Sequence, residues 1–283
     1  RIVFVSISGI IYHLLVVYNN TRGALKVNVW IPLILSVIVT ILAIVASFAY
    51  DDKMKSQVKT EDGHVANEAE MEVQAIKDRM LKKPGKSVNF LTAFYAFLCM
   101  FIMYGAQQYT KQFGINNAGL TEQAAAGLTS IYTVGSILAV IFWAVMMGKL
   151  GWNPLKVVLI DSIFTAVALT LVILVNNVAV IYIAIALIGF FAAGGALQTG
   201  LGVRQELCPG PKGRNTGIYY TFMGFASTFL PTLVSRMTRA VGEAQAVWTM
   251  MFMLLIDAVV AILIMVYLSK KYKEIFGVSA LKS

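Results

Sequence analysis

Four polar side chains follow helical spacing inside an otherwise apolar run of the sequence. Tyr104, Gln107, Gln108 and Lys111 stand at i, i+3, i+4 and i+7, which places them on one face of a helix. Amide and hydroxyl groups both donate and accept hydrogen bonds, and tyrosine rings stack on apolar surfaces. The set suits the binding of a neutral, polyhydroxylated solute.

Two later apolar runs repeat this polar pattern. The first contains Thr129, Tyr132, Thr133 and Ser136. The second contains Tyr219, Tyr220, Gly224, Ser227, Thr228 and Pro231. Polar groups facing lipid are unfavourable, so these faces are expected to line a watery cavity. The alternative is hydrogen bonding between helices, which Ser, Thr and Gln also provide.

Two acids and one histidine lie inside apolar runs, where a charge is unfavourable. Asp257 is about eleven residues into its run, about 16 Å at the helical rise and therefore close to a bilayer midplane. A carboxyl group there is either protonated or paired, so proton coupling and a structural hydrogen bond are both open. His13, whose residue type titrates near neutral pH, is a second candidate for proton coupling, against a packing role.

Asp161 is the third of these residues and lies about 9 Å from the inner end of its run. Lys149, Lys156 and Arg204 are within plausible reach of it. We therefore expect an ion pair at an inner gate rather than solute contact, with Arg214 assigned to the same gate.

Residue patterns of enzymes and metal sites are missing from the sequence. Cys99 and Cys208 form neither a CxxC motif nor a Cys/His metal spacing. No nucleophile–base pair, HExxH, Walker loop or Rossmann glycine pattern occurs. We predict a protein that is not an enzyme and that needs no cofactor or metal.

Apolar runs of membrane-crossing length must position these side chains. The chain is 58% hydrophobic and 13% charged, with mean hydropathy +0.75, against about 25% charged residues in soluble domains. A bilayer crossing needs about 20 apolar residues. The predicted spans are residues 2–18, 29–49, 88–111, 124–147, 155–175, 178–202, 216–238 and 246–268. The predicted fold class is an all-α, polytopic transmembrane bundle.

The basic residues outside these spans are distributed unevenly. One side of the predicted membrane carries 18 Lys and Arg and the other carries 5, so the first side is assigned to the cytoplasm with both termini. The formal net charge of +9 is then explained by loops that face anionic lipid, and no nucleic-acid partner is expected.

The predicted spans divide the chain into four regions. Residues 1–50 hold two spans of one bundle, residues 51–87 a charged linker, residues 88–270 a six-helix bundle and residues 271–283 a cytoplasmic tail. The linker has an apolar helical stripe, consisting of Val65, Ala69, Val73, Ile76 and Met80. It is interpreted as a helix on the membrane surface, with a regulatory partner site as the alternative. The chain begins at Arg1, directly in an apolar run, which is expected of a segment from a larger protein.

Two loops contain sequence motifs that resemble those of a known protein family. Residues 148–156, Gly-Lys-Leu-Gly-Trp-Asn-Pro-Leu-Lys, resemble a degenerate Gly-x-Leu-x-Asp-Arg-x-Gly-Arg-Lys motif that lacks the Asp-Arg pair. A Glu-x2-Pro-x3-Gly-Arg-x2-Gly-like pattern is formed by Glu206, Pro209, Lys212, Gly213, Arg214 and Gly217. With the six spans and the charged loop before them, the chain resembles a major facilitator superfamily transporter.

The resemblance implies that the spans correspond to helices 5–12 of the usual twelve. It also implies a central cavity lined by the helices that correspond to the seventh, eighth, tenth and eleventh, which adds Gln198 to the predicted solute site. The sixth span is glycine-rich, which indicates either close packing or a gating helix that flexes. That span and residues 112–133 look similar to bacterial sugar or small-metabolite proton symporters.

The function expected from the residues and the resemblance together is secondary transport by alternating access. The solute is a sugar or a related metabolite, moved with protons by a monomer in a bacterial inner membrane. A drug or metabolite efflux antiporter is the alternative in the same class. A non-transporting membrane sensor or scaffold that works through the linker helix is the alternative from another class.

Overall fold

The computed structural model describes residues 68–175 and 177–281, with all side chains in these ranges except those of residues 68–70 and 198. Helices form most of this part. They are α1 Glu68–Asp78, α2 Lys86–Asn116, α3 Glu122–Leu150, α4 Pro154–Leu174, α5 Val178–Leu207, α6 Lys212–Val241 and α7 Glu243–Phe276. No strand occurs among the described residues, so the all-α prediction is confirmed for them.

Several predictions fall on other parts of the chain. The spans 2–18 and 29–49, His13 and the linker before residue 68 lie outside the described residues, as does the side chain of Gln198. The chain divides into two compact units, residues 1–75 and 76–283. Helices α2–α7 belong to the second unit.

Each predicted span from residue 88 onward corresponds to one long helix. Among the described helices, α2, α3, α4, α5 and α7 are long and apolar enough to cross a membrane. Helix α6 has 30 residues, which is sufficient length, but its composition is more polar. The polytopic helical architecture is confirmed in this region, whereas the total of eight spans and the cytoplasmic termini stay predictions.

Side chains and glycines at the helix ends explain where the helices begin and stop. The Thr121 hydroxyl accepts a hydrogen bond from the Ala124 amide at 3.3 Å, and Asn153 caps α4 in the same manner. Gly151 and Gly277 follow α3 and α7 with φ of 65° and 73°, a left-handed conformation that favours glycine. These caps fix short connections between antiparallel neighbours.

Helix α2 lies at the centre of the unit and packs against α3, α5, α6 and α7. The core between these helices is apolar and close-packed. The outer face of α7 carries exposed apolar side chains at spacings of three and four, namely Trp248, Phe252, Ile256, Val259, Leu263 and Val266. An apolar exposed face is suited to lipid, because lipid tails are as apolar as the side chains themselves.

Helix α5 has an irregular middle that contacts α3 closely. Val178–Ile188 and Leu197–Leu207 are α-helical, and Gly189–Ala196 between them is π-helical. A Cβ atom on Gly189 would overlap the backbone of Tyr132, and one on Gly194 would overlap the backbone of Ser136. Gly189 and Gly194 thus allow close packing of α5 against α3, and the interpretation of this glycine-rich helix as a gating helix stays a prediction.

Candidate functional site

One face of α6 is polar and uncovered. Its residues follow spacings of four, three, four and four and are all exposed, namely Gly217, Thr221, Gly224, Thr228 and Thr232. A Cβ atom on Gly217 or Gly224 would meet no atom of the described residues within 4 Å. Polar helix faces in membrane proteins border water or other protein segments rather than lipid. This face therefore contrasts with the apolar outer face of α7.

The threonine hydroxyls on this face share one orientation. Thr221, Thr228 and Thr232 each donate to the carbonyl four residues earlier, at 2.8, 3.0 and 3.1 Å. The hydroxyl proton is thus engaged within the helix, and the oxygen lone pairs stay available. The face presents hydrogen-bond acceptors on a surface with open space above the glycines.

A row of phenylalanines lies beside the polar face and joins α6 to α2. On α2, consecutive rings of Phe90, Phe94, Phe97 and Phe101 stack with centroids 5.8 Å apart. Phe90 contacts Phe222 of α6 at 6.3 Å, and Phe97 contacts Phe229 at 6.4 Å. We call these six residues the aromatic wall. Two of its members are well exposed, Phe90 at 57% and Phe229 at 51%, whereas Phe101 is buried in the core.

The aromatic wall also sets the axial register of the two helices. The contacts of Phe90 with Phe222 and of Phe97 with Phe229 pair residues that are seven apart on each helix, so α2 and α6 run in the same direction. Gln108 lies 18 residues after Phe90, whereas Tyr220 lies two residues before Phe222. Gln108 and Tyr220 are therefore separated by about 30 Å along the helices at the α-helical rise.

The predicted solute-binding residues thus fall into separate groups. Tyr104 and Gln107 are half-buried and Gln108 is exposed near the outer end of α2. Tyr220 is 48% exposed near the other end of the unit. A small solute does not span this distance, so the structure does not bring these residues into one site.

The polar stripe of α3 is buried rather than open. Tyr132 is fully buried, and its hydroxyl donates to the carbonyl of Met103 at 3.0 Å. Thr133 donates to the carbonyl of Thr129 at 3.0 Å, and Ser136 is also buried. In this structure the stripe packs between helices, and the role of Tyr132 in solute binding stays a prediction.

Tyr219 is buried as well, although its neighbour Tyr220 is exposed. Its hydroxyl donates to the carbonyl of Leu197 at 3.2 Å, and it leaves no room for a Cβ atom on Gly200. Tyr219 therefore contacts α5 instead of the open face of α6. Lys111, the last member of the α2 stripe, forms a salt bridge with Glu122 at 3.0 Å.

The predicted pair of Asp161 with Arg204 is not present. Arg204 is fully buried and donates to the carbonyl of Asn89, to the Asn89 side chain and to the Thr92 hydroxyl, each at 2.9 Å. Both oxygens of Asp161 are buried with no hydrogen-bond partner among the described residues. The guanidinium is engaged by α2, and Lys149 and Arg214 are exposed.

Asp161 instead lies beside Trp143 and the π-helical segment. A Cβ atom on Gly195 would overlap the Asp161 carboxylate and would be 2.5 Å from Nε1 of Trp143. The indole N–H also lacks a hydrogen-bond partner in the described part of the chain. Sequence reasoning missed Trp143, because its proximity to Asp161 depends on the packing of α3, α4 and α5.

Asp257 is half-buried on α7, and its Oδ2 atom is buried without a partner among the described residues.

No group of three or more His, Cys, Asp or Glu side chains that could hold a metal ion occurs in residues 68–175 and 177–281. Cys99 and Cys208 are both free and buried. Burial raises the pKa of the Cys208 thiol, which follows the last residue of α5.

Comparisons with known proteins agree on the kind of protein. The sequence profile of the Major Facilitator Superfamily matches residues 2–231 and 115–282, which together cover nearly the whole chain. The chain is 32% identical over 145 residues to the inner membrane transport protein YdiM of Escherichia coli strain K12, covering 51% of this chain and 36% of that protein.

Two further relatives match longer stretches. The inner membrane transport protein YdiN of the same organism is 26% identical over 235 residues, covering 81% of this chain and 51% of that protein. The uncharacterized MFS-type transporter YfkL of Bacillus subtilis strain 168 is 29% identical over 176 residues, covering 62% and 43%.

The chain spans about half or less of the length of these curated relatives. No solved structure matches it at a significant level. The apolar helices, the relatives and the profile match are consistent with an integral membrane protein. The chain belongs to the major facilitator superfamily.

Proposed function

We propose that the protein moves a small polar solute, a sugar or a related metabolite, across a bacterial inner membrane by alternating access with proton symport. The observation that carries this proposal is the exposed polar face of α6 beside the aromatic wall. Such a face is costly against lipid and useful against a hydrated solute. Membership in a family of transporters supports the same role.

The solute class follows from the chemistry of this surface. The oxygens of Thr221 and Thr228 accept hydrogen bonds, which complements a solute that is rich in hydroxyl donors. Phe229 and its neighbours in the aromatic wall supply apolar surface for the C–H faces of such a solute. Gln107 and Gln108 extend the polar surface at the outer end, where they would meet the solute at a different stage of transport.

Proton coupling is proposed for the acids that lack partners. Asp257 remains the first candidate, and Asp161 joins it because both of its carboxylate oxygens lack a hydrogen bond in the described part. A charged carboxylate in such a place is unfavourable, so binding and release of a proton would change its surroundings. His13 remains a proposal from the sequence. The protein is proposed to act as a monomer with cytoplasmic termini.

A flux assay tests the proposal. The full-length protein, reconstituted in proteoliposomes with a pH-sensitive dye inside, is given a panel of neutral sugars in the absence of a membrane potential. We expect one or more sugars to cause inward proton flux that an ionophore abolishes. No solute-dependent proton movement for the whole panel, from protein that is folded and inserted, would overturn the symport proposal.

The aromatic wall also favours a second candidate, an efflux antiporter for larger aromatic solutes. A panel of cationic dyes in the same vesicles distinguishes the two. An antiporter would use an imposed proton gradient to move the dye in the direction opposite to the proton flow. It would leave the sugar distribution unchanged. Asp257→Asn should abolish proton movement in either case while solute exchange persists.

A further inference from the structure

A cavity of about 570 Å³ opens at the end of the unit that carries most of its basic residues. Its wall is built from residues 77–84, the start of α2, the end of α5, the loop before α6 and the first turn of α6. Five cationic side chains line it, namely Lys77, Lys82, Lys83, Arg204 and Arg214. None of the described residues that line it is acidic.

Arg204 contributes a positive charge to this wall. No acidic side chain among the described residues that line the cavity neutralises this charge. Its side chain is fully buried, and the three groups that bind it, on Asn89 and Thr92, are neutral. Its Nε atom is buried and has no hydrogen-bond partner among the described residues. A buried cation without an anion is unfavourable, so the cavity favours an anionic occupant.

The beginning of α6 adds to the positive electrostatic potential of the cavity. Pro211 precedes this 30-residue helix and provides no side-chain cap for its first turn. The N-terminal end of a helix carries partial positive charge and exposes amide groups, a combination that binds phosphate. Arg214 lies in this first turn, close enough to Arg204 for the two like charges to repel each other.

We propose that this cavity binds a phosphate group, carried either by an anionic membrane lipid or by a small soluble phosphate ester. Its volume accommodates a phosphate with its glycerol moiety, and lysines with arginines are the residues that recognise such groups. The bound phosphate joins residues 77–84 to the start of α6. It thereby attaches the segment that precedes α2 to the rest of the unit.

The experiment uses the full-length protein, purified in detergent, stripped of lipid and checked as monodisperse. One arm measures binding of glycerol 3-phosphate by a shift in thermal unfolding. The other measures retention of phosphatidic acid against phosphatidylcholine by native mass spectrometry. The test variant is K82Q/K83Q/R214Q, and the matched control is K270Q/K273Q, which removes two cations from the exposed end of α7.

We expect wild type and the control variant to bind the phosphate ligand equally, and the test variant to bind it at least tenfold more weakly, since it lacks three of the five cations that line the cavity. Binding in the lipid arm alone assigns the site to a headgroup, and binding in the soluble arm alone assigns it to a phosphate ester. The variant K82R/K83R/R214K should retain binding, which separates charge from misfolding. Absence of binding in both arms, or equal weakening by the control variant, would overturn the proposal.

Discussion

The indole nitrogen of Trp143 and the carboxylate of Asp161 lie against the same glycine, Gly195, in the π-helical part of α5. Helices α3, α4 and α5 thus meet at a position with no space for a side chain. Each polar group is buried without a hydrogen-bond partner in the described part of the chain. The contact places a hydrogen-bond donor, the Trp143 indole N–H, beside a buried acid.

Gly195→Ala tests this contact. The added methyl group overlaps Asp161, and overpacking of this kind costs about 1–3 kcal/mol. We expect a lower unfolding temperature of the full-length protein in detergent. Gly148→Ala is the control, because a Cβ atom there meets nothing within 4 Å. An unfolding temperature equal to that of the control would contradict the close packing described above.

The hydroxyl oxygens of the α6 face are tested by Thr221→Val and Thr228→Val. Valine preserves the shape and removes the acceptor, so each change should weaken solute binding by about 0.5–1.5 kcal/mol, which is about twofold to thirteenfold in apparent affinity for uptake. Thr170→Val is the matched control, since Thr170 on α4 makes the same intrahelical hydrogen bond. If all three variants transport alike, the α6 face does not contact the solute.

The separation of Gln108 from Tyr220 predicts independent effects on transport. The free-energy effects of substitutions at sites more than about 10 Å apart, with no shared partner, usually add to within about 0.5 kcal/mol. We expect the double variant Gln108→Ala/Tyr220→Ala to lose uptake by the product of the two single losses. A double-variant loss much smaller than this product, measured as initial uptake rates, would place both residues at one solute.

Thiol labelling tests the environment of Cys208. Its raised pKa keeps the thiol protonated, so a smaller fraction is present as the reactive thiolate at any given pH. In a Cys99→Ser background we expect slow maleimide labelling at pH 8 that accelerates as the pH rises. Val278→Cys in a protein without other cysteines is the comparison, because residue 278 is 61% exposed. Equal labelling rates would mean that Cys208 is open to water.

Hydropathy was sufficient to predict the helices but not their ends. The run before residue 111 is mostly apolar, whereas α2 continues to Asn116 because helix ends tolerate polar residues that reach water. The start of α4 was predictable to within one residue, since Asn153 and Pro154 form a typical helix beginning.

The positions of polar groups were harder to infer. A hydroxyl stripe has the same spacing whether it lines a cavity or packs against another helix, and Tyr132 took the second role. Tyr104 and Tyr220 lie at different positions along the helix axes, because the contact of Phe90 with Phe222 sets the offset between α2 and α6. The residue pattern of a single helix contains no information about this offset. Charge attraction suggested a partner for Asp161, but Asn89 already binds Arg204.

The π-helical segment in the middle of α5, Gly189–Ala196, has a mechanical consequence. Gly189 and Gly194 fix its middle to α3, while Arg204 fixes its final turns to α2. A shift of α3 against α2 therefore bends or twists the backbone between these two attachments. Gly195 and Ala196, the last residues of the π-helical segment, lie within this stretch, and their irregular hydrogen bonding is where the backbone resists such deformation least.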